Sequence, residues 1–365
     1  MMHDEERSEA DPSPELGNSA GMPDVPRSGS VTINDIARIA RVSKKTVSRV
    51  INESPFVKEK TRAEIKRVIA ELGFTPDPQA RALALGKSFL IGLVYDNPSP
   101  QYVVNIQRGI LDALEGTDFQ LVLRPCDRAQ SGHVEQVLRF AQQHKPFGLI
   151  MPPSVSEDEV LTQAVAAAGI GYVRIASVSL DSPDHLILTD DAVGAGQAAR
   201  HLTTLGHRRI AHIHGPLSFR STHERRRGFE SALGESGLTL DPRHVVEGGY
   251  TFESGRRAAE QLLALEPRPT AIFAGNDEMA TGTLVAAREA GLRIPEDISI
   301  VGYDDTPIAG RLWPGLTTVR LPIRDMGRAA ARLLLDTANG ARRTTHQRFS
   351  PELIVRGSSA PPGAP

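Results

Sequence analysis

The chain has 365 residues, more than one domain ordinarily holds, so two or three domains are expected. With 40% hydrophobic and 24% charged residues it can bury sizeable cores, and its one cysteine, Cys126, excludes an internal disulfide and a structural cysteine–zinc site. The net charge of −2 is unevenly spread: residues 1–30 carry seven acids against two bases, residues 31–88 carry twelve Lys/Arg against six Asp/Glu, and the remainder is mildly acidic. A compact basic segment points to a polyanionic partner. No stretch approaches the roughly 18 apolar residues of a membrane span, and neither a secretory leader pattern nor paired cysteines are present, so a cytoplasmic protein is expected.

In chain order, residues 1–30 are rich in Asp, Glu, Ser, Pro and Gly without apolar period and read as a disordered acidic tail. VTINDIARIARVSKKTVSRVIN follows, from Val31 to Asn52. Thr32 can cap a helix, with Asp35 favouring its positive end, and Ile33, Ile36, Ala37 and Ala40 share one face. After a break at Arg41-Val42, Ser43 can cap a second helix. Val47, Val50 and Ile51 turn inward, and Lys44, Lys45, Ser48 and Arg49 stay outside. A third helix fits Lys58–Leu72, with Gly73 as its stop. Three such helices over residues 31–75 make an all-α helix-turn-helix head. Its second helix would enter the major groove, where Lys44, Lys45 and Arg49 suit guanine O6 and N7. Thr32, Ser43, Thr46, Ser48, Asn52 and Thr61 are short donors suited to phosphates. Residues 76–88 read either as a plain linker or as a hinge helix started by Pro78 and ended by Gly86, with Leu83 able to wedge between base steps in the minor groove.

These residues carry a resemblance. Val31–Asn52, followed by TRAEIKRVIAELGFTPDPQARALA, resembles the headpiece and hinge of the lactose-repressor (LacI/GalR) family of bacterial regulators over nearly every position to Ala84. The resemblance implies base contacts by Lys44, Lys45 and Arg49. It implies Leu83 as the intercalating hinge leucine, with Ala80 and Arg81 beside it in the minor groove.

From Phe89 onward, strand-length apolar runs (FLIGLVY, FQLVLRP, FGLIMPP, GYVRIAS, HLILTDD, then RIAHIHG, HVVEGGY, TAIFAGN, ISIVGYD) alternate with helical patterns. Such alternation implies parallel sheets covered on both faces, and the length suits two lobes. Ligands of open parallel sheets bind beyond the carboxyl ends of the strands. Those ends carry Tyr95, Asp96 and Asn97, Ser154, Asp190-Asp191, His214, Tyr250, Asn276-Asp277 and Asp304-Asp305. A single Asp there commonly only caps the next helix, and Asp277 is read that way; the convergence of the set is what suggests a site. GHRRIAHIHGPLSFRSTHERRRGFESAL, PTAIFAGNDEMATGTLVAAREAGLRIPEDISIVGYDD and PGLTTVRLP resemble the family's sensor core, itself similar to periplasmic sugar-binding proteins. The resemblance implies Arg225, Asn276 and Asp304 as effector-holding positions and Tyr250 as an aromatic wall. Asp96, Asn97, Tyr102 and Ser154 are candidates by position.

The expected fold is α/β: the helix-turn-helix head with its hinge helix, then a two-lobed periplasmic-binding-protein-like core of two doubly wound parallel sheets over residues 89–357. Lobe 1 is placed at about 89–188 and 322–340, lobe 2 at about 189–320 and 350–357, and 358–365 is read as a disordered tail. That tail holds no heptad leucines, so a homodimer is expected. No nucleophile elbow, P-loop or zinc-protease motif occurs, so neither an enzyme nor a cofactor is expected. No metal site is expected either; His212 and His214 are assigned to opposite faces of their strand. The function read from all this is a transcriptional regulator, a repressor, on a near-palindromic double-stranded DNA operator, controlled by a small-molecule effector, a sugar or glycoside by first choice. The alternatives are a purine- or other metabolite-responsive regulator of the same build, and a cytoplasmic solute-binding protein without a DNA role.

Overall fold

The computed structural model describes residues 31–52, 54–76 and 88–363. The chain divides into Met1–Leu85 and Gly86–Pro365, taken here in turn. The acidic tail over residues 1–30 and the hinge positions Ala80, Arg81 and Leu83 lie outside the described residues.

The head contains α1 (Ile33–Ile39), α2 (Lys44–Ile51) and α3 (Glu59–Glu71). At the start of α1 the Asp35 carboxylate accepts from the Thr32 N–H at 3.0 Å and from its hydroxyl at 2.6 Å. Ser43 Oγ accepts the Thr46 N–H at 3.1 Å and so caps α2. Gly73, at φ +60°, ends α3 in the left-handed conformation that costs glycine least. Ile36, Val47, Ile65 and Val68 are fully buried between the three helices, and Ala37 and Val50 nearly so. At about 1.5–3 kcal/mol for each large side chain, this small core holds the helices to one another.

The second unit has two six-stranded sheets. Lobe 1 orders β1 (Leu90–Tyr95), β2 (Gln120–Pro125), β3 (Gly148–Met151), β4 (Gly171–Ala176), β5 (Leu186–Thr189) and β11 (Gln347–Phe349) as β11-β5-β4-β3-β1-β2, every neighbouring pair parallel. Lobe 2 orders β6 (Ile210–His214), β7 (Val245–Glu247), β8 (Ala271–Ala274), β9 (Ser299–Asp304), β10 (Thr317–Arg320) and β12 (Glu352–Ile354) as β12-β10-β9-β8-β6-β7. The expected parallel sheets are present; in lobe 2 the edge strand β12 alone runs antiparallel to its neighbour, β10. Strands of three residues, such as β11 and β12, are too short to show a period in sequence.

The sheets are covered by α4 (Pro100–Leu114), α5 (His133–His144), α6 (Glu159–Ala167) and α11 (Ile323–Ala338) in lobe 1, and by α7 (Asp191–Thr204), α8 (Arg220–Glu235), α9 (Phe252–Leu263) and α10 (Asp277–Glu289) in lobe 2. Strands such as β3, β5, β6 and β8 are buried along their whole length, as strands covered on both faces must be. The chain passes between lobes three times: after β5, between β10 and α11, and between β11 and β12.

The expectation of a disordered tail over 358–365 is corrected for residues 358–363. Ser358 is fully buried; its hydroxyl donates to the Ile300 carbonyl at 2.6 Å and accepts the Thr317 N–H at 2.8 Å. His207 reaches both Ser299 Oγ and the Ala360 carbonyl at 3.0 Å, and His201 reaches Ser359 Oγ at 2.8 Å. Composition marked this segment as unable to form a core; its backbone instead finds partners on a core already built by lobe 2.

Candidate DNA-reading helix and effector cleft

On the head, Lys44, Lys45 and Arg49 are exposed along α2, and none has an acidic partner among the described residues. The two lysines fall in the first turn, where the orphan N–H groups of the helix also favour a negative partner. The shorter donors are partly engaged with one another. Ser43 Oγ lies 2.9 Å from Thr46 Oγ1, Asn52 Nδ2 donates to Ser48 Oγ at 3.3 Å, and Thr32 is tied to Asp35. Asn52 Oδ1 is buried with no partner, and Thr61 is half-buried on α3. The bonds of Thr32, Ser43, Thr46, Ser48 and Asn52 Nδ2 brace the ends of α1 and α2.

In the core, Asn97, Tyr102, Arg225, Tyr250, Asn276 and Asp304 line one cleft between the lobes, with about 420 Å³ of empty space open to solvent. Arg225 stands at its centre. Its Nε donates to Asp191 Oδ1 at 2.8 Å, its Nη1 donates to the Gly275 carbonyl at 2.5 Å, and its guanidinium carbon sits 3.7 Å from the Tyr303 ring centroid. A planar fork suits this double duty, and the ring face adds cation–π attraction. Asp304 lies 3.7 Å from Arg225 Nη2, too far for a hydrogen bond, and its Oδ1 is buried without a partner. Burial therefore outweighs the pull of Arg225 and pushes the Asp304 carboxyl up to about 8.

Backbone geometry aims these groups. Asp304 adopts φ 106° and Tyr250 φ 58°, conformations that non-glycine residues hold only where the surroundings enforce them. A Cβ on Gly215 would come within 2.0 Å of the Tyr250 ring, so only glycine lets that ring lie flat there. The Tyr250 hydroxyl pairs with Thr222 Oγ1 at 2.7 Å, and Phe219 meets its ring edge-on at 5.3 Å. Asn276 caps α10 by accepting the Met279 N–H at 2.9 Å and donates to the Tyr250 carbonyl at 3.0 Å, so its amide fixes the wall as well as lining it. Asp277, read in sequence as the cap, instead binds Thr306 and Thr318, and burial pushes its carboxyl up to about 7.

Two sequence candidates do not line the cleft. Asp96 accepts the Arg128 N–H at 3.3 Å, and Ser154 is fully buried, donating to the Asp96 carbonyl at 3.0 Å. Conversely, Asp191, Thr189, Phe219 and Ser221 line it and were absent from the candidate set. Asp191 was visible only as a strand-end acid, because its partner Arg225 lies 34 residues away. At the cleft mouth two bonds join the lobes: Arg128 Nη2 donates to the Ser218 carbonyl at 3.3 Å, and Glu157 Oε2 accepts the Arg220 N–H at 2.9 Å.

The reading of His212 and His214 is overturned, since residues two apart on a strand share a face. Their ring centroids are 6.1 Å apart, and His212 is stacked on Phe273 and Phe229 at 4.9 and 5.3 Å. Burial holds its imidazole down at about 3, hence neutral. Among the described residues, no group of three or more His, Cys, Asp or Glu is placed to hold a metal ion, and no helix is long and apolar enough to cross a membrane. Burial also raises the Cys126 thiol to about 11, far from a reactive thiolate.

Residues 32–77 match the model of bacterial regulatory proteins of the lacI family, and residues 199–359 match that of the periplasmic binding protein-like domain. The HTH-type transcriptional repressor PurR of Pectobacterium carotovorum subsp. carotovorum (strain PC1) is 35% identical over 332 residues, 90% of this chain and 97% of that protein. Among solved structures, a lac repressor dimer bound to operator and the anti-inducer ONPF superposes with a TM-score of 0.77 at 30% identity, covering 91% of this chain and all of that one. A complex of the transcriptional regulator CelR with cellobiose superposes with a TM-score of 0.69 at 32% identity, covering 90% and 99%.

Proposed function

The chain belongs to the lacI family of bacterial regulatory proteins, and from that premise we propose that it is a homodimeric cytoplasmic repressor whose operator binding is set by an uncharged, polyhydroxylated effector in the cleft. As a DNA-binding transcriptional regulator it uses its head to read sequence: Lys44, Lys45 and Arg49 contact base edges from α2, and the surrounding hydroxyls and amide hold phosphates. Two heads on one dimer read the two halves of a near-palindromic operator, as the operator-bound lac repressor dimer suggests. Ala80, Arg81 and Leu83 are proposed to enter the minor groove between them.

The observation that carries the effector class is the state of Arg225 and Asp304. Two nitrogens of Arg225 are taken by Asp191 and the Gly275 carbonyl, whereas Asp304 Oδ1 makes no hydrogen bond and meets only Arg225 Nη2, at 3.7 Å. Among the described residues lining the cleft, the cation Arg225 is already balanced by Asp191, and the Asp304 carboxyl, protonated below about 8, can both donate to and accept from a ligand hydroxyl. Asn97, Tyr102 and Ser221 add further polar atoms, and Tyr250 and Phe219 add ring edges and faces against which a sugar can pack. The cellobiose complex of CelR supports a sugar or glycoside. The aromatic pair also suits a flat purine, which is the second reading.

Ligand entering the cleft would favour the closed arrangement held by the Arg128–Ser218 and Glu157–Arg220 bonds, and it regulates only by binding the two arrangements with different affinity. The test is thermal melting of the full chain against uncharged sugars and glycosides, sugar phosphates and nucleobases. An uncharged sugar should raise the melting temperature, Asp304→Ala should lose the effect, and the same sugar should change operator affinity. Stabilisation by sugar phosphates alone would refute the charge argument; stabilisation by a nucleobase alone would favour the purine reading.

A further inference from the structure

Lobe 2 carries a second cavity at the opposite end of β6 from the effector cleft. It encloses about 590 Å³ of open space, with Arg208, Arg209, Arg243 and His244 on its sides. Ile210, Leu233, Leu238, Leu240 and Pro267 give it an apolar floor. Of its ionised side chains, three are guanidiniums and one is the Asp241 carboxylate, which Arg243 already grips with Nη2 at 2.7 Å and Nε at 3.2 Å. Arg209 donates from Nε to the Arg268 carbonyl at 3.1 Å, leaving its charge uncompensated. Arg208 has no partner among the described residues.

His244 supplies a second, independent observation. Its residue is only 8% exposed, it lines the cavity, and neither ring nitrogen meets a hydrogen-bond partner among the described residues. With no protein partner on its ring nitrogens among the described residues, this imidazole is free to hydrogen-bond a ligand in the cavity. Arg208 and Arg209, both exposed at the cavity, carry charge that no carboxylate among the described residues offsets, and planar guanidinium forks match the oxygen atoms of phosphate and carboxylate.

We propose that this cavity is a binding site for a small organic oxyanion, a phosphate monoester or carboxylate bearing an apolar group, and that it is a second regulatory input separate from the effector cleft. Arg208, Arg209 and Arg243 hold the anionic oxygens, His244 adds a hydrogen bond, and the apolar floor takes the remainder of the ligand. The route to the cleft is α8. Leu233, near its end, floors this cavity, and Arg225, eight residues earlier, centres the cleft, about 12 Å apart along one rigid helix. Strand β6 makes a parallel link, from Ile210 in this cavity to His214 and then Gly215 beside Tyr250.

The experiment is isothermal titration of the full chain with phenyl phosphate, benzoate and inorganic phosphate, in chloride buffers of matched ionic strength. Phenyl phosphate or benzoate should bind saturably, one per chain, and inorganic phosphate at least tenfold more weakly because it leaves the apolar floor empty. Arg208→Ala combined with Arg243→Ala should weaken binding more than tenfold without changing operator binding in the absence of ligand. The milder His244→Gln should weaken it several-fold, which keeps the test open if the double variant folds poorly. No saturable binding, or equal binding by wild type and both variants, overturns the site. Phenyl phosphate or benzoate that binds but leaves the affinity of the cleft for its effector unchanged overturns the regulatory half of the proposal.

Discussion

A buried carboxyl with one oxygen making no hydrogen bond is costly to keep, and Asp304 is held there by backbone at φ 106° beside an arginine that hydrogen-bonds Asp191 instead. The cost has a pH signature. The folded chain keeps the Asp304 proton up to about 8, whereas the unfolded chain releases it near 3.8, so its contribution to stability is complete below 3.8 and is lost as pH rises through 8. Asp277, raised to about 7, adds a second proton over much of that window. Each proton steepens the fall by about 1.4 kcal/mol per pH unit. Asp304→Asn should therefore make the loss of stability between about pH 5 and 7, followed by urea unfolding, markedly shallower than in the wild type. Identical slopes would mean that Asp304 titrates as an ordinary carboxylate. On the head, Arg49→Ala should cost about 1–3 kcal/mol of operator affinity and relax preference at one base position. A binding-site selection that returns an unchanged sequence profile would remove Arg49 from the reading set.

At the scale of elements, neighbouring helices are locked by glycines. A Cβ on Gly228 of α8 would fall 2.0 Å from the Ala192 carbonyl oxygen on α7, and one on Gly109 of α4 would fall 1.9 Å from the Arg324 carbonyl oxygen on α11. Gly228→Ala must push α7 and α8 apart at overpacking costs of about 1–3 kcal/mol, and these helices carry Asp191 and Arg225 respectively. Both the urea midpoint and effector affinity should fall, with DNA binding by the ligand-free protein changed least; loss of stability alone would show that the pair reseats itself. Elements were also where the sequence was most legible. Caps, stops and apolar periods are local, so Thr32, Ser43 and Gly73 could be assigned from their neighbours. Asp191 escaped the candidate set because its meaning depends on a partner 34 residues away. The three-residue strands β11 and β12 carry too few residues for a period, and Ser358–Gly363 takes its order from lobe 2 rather than from its own composition. Asp96 and Ser154 stood at the right strand ends, but position along a strand does not reveal that their polar groups are used to brace the loop.

For the whole molecule, regulation is a coupling between cleft and operator, typically about 1–3 kcal/mol, and it must be reciprocal. If the effector changes operator affinity by a given factor, operator DNA must change effector affinity by that same factor, in the range of about 5–150-fold. Titrating effector into the full chain with and without saturating operator checks this directly; unequal factors would mean that a third state or a second ligand takes part. The three passages of chain between the lobes bear on how such a signal can move. Three tethers, one of a single residue and two of two residues, leave little slack for one lobe to slide bodily along the other. A ligand drawing the open side of the cleft together would then be expected to turn one lobe against the other about these crossings rather than to slide it.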